Sequence, residues 1–158
     1  MKNRIKLYLS ALFVFLISSD IFTQNREERI IFHYLKLSSS LSDSDLKQSL
    51  KHAGKLASQL NQPAFSSLQA SADAMKKAAA LGQIRESFSV FSDSLSAMVK
   101  SGRLKPAETL YLVHCPMAFN DKGANWISDV PKVINPYFGD EMLHCGKVKS
   151  TLFKSGKQ

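Results

Sequence analysis

Glycine, proline and cysteine are all scarce, at 7, 5 and 2 residues among 158. So little glycine and proline excludes collagen-like or low-complexity character. Two cysteines exclude a disulfide-dense scaffold. They are not arranged as Cys-x-x-Cys, which removes the paired zinc pattern and the thioredoxin-like redox motif. There is no glycine-rich phosphate loop, and no Ser/His/Asp set in a recognisable context. His114 beside Cys115 is not a convincing nucleophile–base pair, because neighbouring side chains on a strand point to opposite faces. The chain is therefore expected not to be an enzyme. Basic residues do not cluster with aromatics, so a nucleic-acid partner is not expected either.

No apolar run reaches the 20 or so residues that span a bilayer. The longest, Leu7 to Ile17, is broken only by Ser10 and follows Lys2, Arg4 and Lys6. A positive start followed by a short apolar stretch reads as a signal peptide over residues 1–24. Cleavage would leave no stable membrane insertion, and no cysteine near the boundary offers a lipid anchor. The formal charge is +8; losing Lys2, Arg4, Lys6 and Asp20 with that segment leaves the rest still basic. A moderate positive charge gives solubility and weak attraction to anionic surfaces.

From Glu27 to about Lys100 the apolar residues recur at steps of three and four. Ile30, Tyr34, Leu37 and Leu41 share one helical face. Leu46, Leu50, Ala53, Ala57 and Leu60 line a second. Phe65, Leu68, Ala72, Met75 and Ala79 line a third, and Ile84, Phe88, Phe91, Leu95 and Met98 a fourth. Such stripes predict amphipathic helices. Ser42 with Asp45 predicts a helix start, Pro63 a stop at Gln62, Gly82 a break, and Gly102 a left-handed terminus. Short connections favour an antiparallel, up-and-down four-helix bundle. His33 and His52 fall off the stripes and read as surface or edge residues.

Past Gly102 the grain changes. Thr109–Val113 is β-prone, and about thirty residues from Pro116 to Gly146 lack periodicity. Phe119, Trp126, Ile127, Tyr137, Phe138, Met142 and Leu143 there need burial, so an ordered loop with a short β segment is expected beside the bundle. Residues 25–148 form the expected domain, and 149–158 a basic tail.

The loop opens with His114-Cys115-Pro116-Met117 and closes with Met142-Leu143-His144-Cys145-Gly146. Thiolate and thioether are soft donors that favour Cu(I) or Ag(I), and imidazole also suits Cu(II) or zinc. The competing reading is a structural Cys115–Cys145 disulfide, contributing roughly 3–4 kcal/mol by restricting the unfolded chain. Spacing alone leaves both open, with the disulfide ahead.

The motifs His114–Asn120, Lys122–Trp126, Asn135–Gly139 and Met142–Gly146 resemble a Gram-negative family of a domain of unknown function. That domain occurs alone in exported proteins and at the C-terminus of some copper/silver efflux adaptor subunits. The resemblance runs over roughly Arg29 to Val148. It implies a periplasmic, helix-rich domain associated with copper or silver, with an efflux adaptor or metal-transport protein as partner. It also implies Cys115, Met117, Met142 and Cys145 as candidate ligands. His114 and His144 depart from the usual motif and rank below these four. The adaptor's hairpin and barrel regions are missing, so the adaptor function does not transfer whole. The resulting expectation is soft-metal binding or handover. The alternative is a metal-free interaction module held by the disulfide.

Overall fold

The computed structural model describes residues 26–156; the expected signal segment lies outside the described residues. Helix α1 covers 26–42 of them. It is followed by α2 (Leu46–Gln59), α3 (Ser66–Lys77) and α4 (Leu81–Lys100). Three strands follow: β1 (Leu110–Cys115), β2 (Ala124–Ser128) and β3 (Lys147–Phe153). The fold is mainly helical with a small antiparallel sheet at its C-terminal end.

The stripes bury as their spacing requires. Ile30, Tyr34, Leu37, Leu41, Ile84, Phe88, Phe91 and Leu95 have no exposed surface. Each large apolar side chain so buried is worth about 1.5–3 kcal/mol. Tyr34 stacks on Phe88 with ring centroids 4.9 Å apart, a contact that joins α1 to α4. Ala79 is exposed because α3 ends at Lys77, two residues short of it.

Helices α1 and α2 run antiparallel, because their paired residues read in opposite order. The Arg26 guanidinium donates to the Gln59 carbonyl (3.1 Å), His33 meets His52 (3.3 Å), and Ser49 Oγ meets Ser40 Oγ (3.2 Å).

The helix ends agree with the sequence expectation only in part. Asp45, not Ser42, caps α2: its carboxylate accepts from the Gln48 N–H at 2.9 Å. Ser42 ends α1 instead, with its hydroxyl turned back to the Ser38 carbonyl. The break between α3 and α4 falls at 78–80, and Gly82 lies inside α4. A carboxylate serves the exposed N–H groups of a first turn better than a hydroxyl one turn away, so the cap belongs to Asp45. Gln62 is extended before Pro63, and Gly102 takes a φ of 71°, both as expected.

The sheet order is β2-β1-β3. Val113 pairs with Trp126 on one side and with Val148 on the other. The aperiodic loop thus contains a strand, β2, that no alternation announced. The expected basic tail also begins inside β3, which runs on to Phe153. β2 packs on α4 and α1: the Asn125 amide donates to Asp93 of α4 at 3.1 Å, and the Ile127 N–H donates to the Tyr34 hydroxyl of α1 at 2.9 Å. The helices and the sheet therefore share one core.

Candidate metal centre

Cys115 is the last residue of β1 and is fully buried. Cys145 immediately precedes the crossing of the chain onto β1 and is half-buried. Gly146 makes that crossing possible. Its φ is 133°, and a Cβ there would lie 2.7 Å from the His114 carbonyl oxygen and 3.1 Å from the Trp126 ring. The two thiols consequently face each other, Sγ to Sγ, at 3.1 Å.

The Cys145 side is fixed by Asn135, which is completely buried. Its amide donates to the Cys145 carbonyl (2.7 Å) and its carbonyl oxygen accepts from the Tyr137 N–H (2.8 Å). Its own N–H donates to Leu143 at 2.7 Å. The Tyr137 hydroxyl donates to the Asn125 carbonyl, and its ring meets Trp126 edge-on at 5.8 Å. The clamp on Cys145 is invisible in the sequence, because it depends on a pairing ten residues away.

Behind Cys115, the turn at Ala118–Asp121 carries three successive non-glycine residues with φ of 55°, 57° and 63°. Left-handed backbone at such residues costs energy and persists only when its surroundings hold it. Phe119 is held by an edge-on contact with Tyr137, centroids 5.3 Å apart. Gly123, with φ 77°, closes the turn. The strained turn keeps the backbone N–H of Met117 near enough to the Cys145 sulfur to favour its thiolate.

The hydrogen-bonded sulfur of Cys115, with some burial, pushes the Cys145 thiol above its ordinary pKa, and the Met117 N–H pulls it back only in part. Cys145 is thus a protonated thiol at neutral pH. Beside it lies a cavity of about 310 Å³, lined by His114, Pro116, Cys145, Gly146, Lys147 and Lys149.

Of the six residues expected to form the site, the structure brings together the two thiols, with Met117 and Met142 near in the backbone. The Met142 carbonyl accepts from the Cys145 N–H at 3.0 Å. Met117 keeps 47% of its surface exposed. His114 shares the cavity with Cys145, but both histidines already have partners. His114 Nδ1 is engaged by Asn125 at 3.0 Å, and exposed His144 by the Val133 carbonyl at 3.1 Å. Among the described residues no group of three or more His, Cys, Asp or Glu could hold a metal ion. An ion here would need a third donor from a methionine or from outside the chain.

The sulfur pair fits two chemistries. A disulfide requires about 2.05 Å. Two thiolates at about 2.3 Å from one tetrahedral ion stand about 3.8 Å apart. The observed 3.1 Å lies between them, so a small side-chain rotation reaches either.

Residues 30–106 match the family model DUF3347, described as a protein of unknown function. The DUF3347-like part is the helical one, from α1 to just beyond α4. Cys115, Met117, Met142 and Cys145 all lie outside it, in the sheet and loop whose motifs carried the sequence resemblance. No curated protein and no solved structure matches the chain. Among the described residues no helix is long and apolar enough to cross a membrane.

Proposed function

We propose that the chain is an exported periplasmic module, built as an up-and-down four-helix bundle with an appended sheet. Its reduced Cys115–Cys145 pair takes a soft monovalent ion, copper(I) or silver(I), for sequestration or handover and not for catalysis. The single observation that carries this is two free thiols 3.1 Å apart at the two ends of a clamped loop. Thiolates are the donors that select such ions. The basic apolar start of the sequence supports export. The family resemblance supports a link to heavy-metal efflux, with an adaptor or transport protein as partner.

Cys115 and Cys145 would hold the ion, each losing its proton on binding. Met117 and Met142 are the near thioether candidates, with His114 and His144 as outer donors after rearrangement. The Met117 N–H steadies negative charge on the Cys145 sulfur. Cys115 is sealed in the core while Cys145 borders the open cavity. An acceptor protein would therefore approach through Cys145.

A second reading is favoured by the same short distance and by the missing third ligand. The pair closes to a disulfide, and the module presents its loop surface to an envelope partner. Anaerobic titration of the reduced chain with copper(I), in competition with a chromogenic chelator, separates the two readings. The metal reading expects one ion per chain, with at least a hundredfold loss of affinity in Cys115→Ser and Cys145→Ser. It fails if the reduced chain takes no copper(I). The disulfide reading then stands if the oxidised chain is lighter by two hydrogens.

A further inference from the structure

His33 on α1 and His52 on α2 face each other across the outer seam of the α1/α2 hairpin, Nδ1 to Nδ1 at 3.3 Å. The rings tilt by 41°, with centroids 5.5 Å apart. Two imidazole nitrogens bound at about 2.0–2.1 Å to one tetrahedral ion stand about 3.3–3.4 Å apart. The separation already present is that of a hydrogen bond between the two nitrogens, and it also matches a shared ion, which would take the place of the bridging proton as that ring shifts to its Nε2 tautomer. We propose that His33 and His52 form a second metal site, specific for a divalent transition ion of borderline softness such as zinc(II) or copper(II).

The protonation state suits the role. Burial holds both imidazoles below the ordinary histidine value. The neighbouring His52, Lys55 and Arg29 add to this at His33, and Lys51 and Lys36 at His52. Both rings are neutral at neutral pH, the form that ligates metal. Both are half-exposed, so the remaining coordination positions are open to solvent. The four surrounding cations oppose a bare dication. They favour one that brings an anionic co-ligand, which makes the ion exchangeable and not a structural staple. This site does not depend on the cysteine pair: its donors are imidazoles on helices, and imidazole and thiolate sort different ions.

The test follows histidine ring nitrogens by NMR while the full chain is titrated with zinc(II) at neutral pH. The Nδ1 signals of His33 and His52 should move together at one equivalent, and those of His114 and His144 should not move with them. His52→Ala and His33→Ala should each weaken this event at least tenfold. Repeating the titration in Cys115→Ser/Cys145→Ser should leave it in place, which separates it from any metal uptake at the thiols. The proposal is overturned if zinc moves no histidine signal, if it moves His114 or His144 instead, or if His52→Ala binds as tightly as the original chain.

Discussion

At the scale of single residues, the candidate centre depends on the Asn135 side chain and on the backbone N–H of Met117. Asn135 satisfies the Cys145 carbonyl and the Tyr137 N–H from a position without solvent access. Asn135→Ala would leave both buried groups without partners, at about 1–3 kcal/mol for each. The expected outcome is a lower urea midpoint together with a less protected Cys145, read as faster alkylation of its thiol. The second residue is Met117, whose backbone N–H alone opposes the rise in the Cys145 pKa. Because that thiol is protonated at neutral pH, copper(I) must displace a proton to bind there. Apparent affinity should then rise with pH by about tenfold per unit for each proton displaced, levelling off once the solution passes the raised pKa. Chelator competition at stepped pH checks this; a flat profile would mean that the thiols are not the ligands.

At the scale of elements, the helices were legible and so was β1, whose Leu110–Cys115 overlaps the β-prone Thr109–Val113, but β2 was not, for a physical reason. A helical stripe repeats over several turns, so the four series ending at Met98 announce themselves from apolar spacing alone. β2 has five residues, among them Ala124 and Asn125, which disfavour strands. Its run of three buried residues, Trp126, Ile127 and Ser128, hides the two-residue alternation. The strand exists because β1 and α4 give it pairing and cover, which are non-local. The His33–His52 contact was equally illegible as a local motif. It becomes visible only once α1 and α2 fold back antiparallel, which sets position 33 opposite 52 as it sets 26 opposite 59. That hairpin carries its own prediction. Burial and neighbouring cations depress both histidine pKa values in the fold, so the unfolded chain binds protons more readily. Stability from this pair is complete above about pH 6.5 and declines as pH falls below it. Urea midpoints between pH 7.5 and 5 should show the decline. His33→Gln/His52→Gln should flatten it, and an unchanged slope in that variant would assign the decline to other groups.

At the scale of the whole molecule, three long-range ties make the sheet part of the helical core, and each joins residues far apart in sequence. Arg85 on α4 donates to the Pro136 carbonyl (3.0 Å) and to the Leu41 carbonyl (3.0 Å), linking the loop to the end of α1. Glu27 accepts from the Lys105 N–H at 3.0 Å, closing the segment after α4 onto α1. Tyr34 does the most. Its ring stacks on Phe88, and its hydroxyl meets Ser92 Oγ at 2.7 Å while accepting from Ile127. Helical spacing marked Tyr34 as a core residue but could not say why the core holds a hydroxyl. The hydroxyl is there because the Ile127 N–H, at the buried face of β2, points at α1 and needs an acceptor. Tyr34→Phe keeps the ring and removes only that acceptor, leaving the Ile127 N–H and the Ser92 hydroxyl buried without it. The expected cost is about 1–3 kcal/mol, read from urea unfolding, with the Ile127 amide gaining the largest increase in hydrogen exchange. Because β2 pairs with β1 at Cys115↔Ala124, loosening it should also speed alkylation of the buried Cys115. Faster exchange at Ile127 with no change at Cys115 would show that the sheet holds the thiol pair without help from the helices.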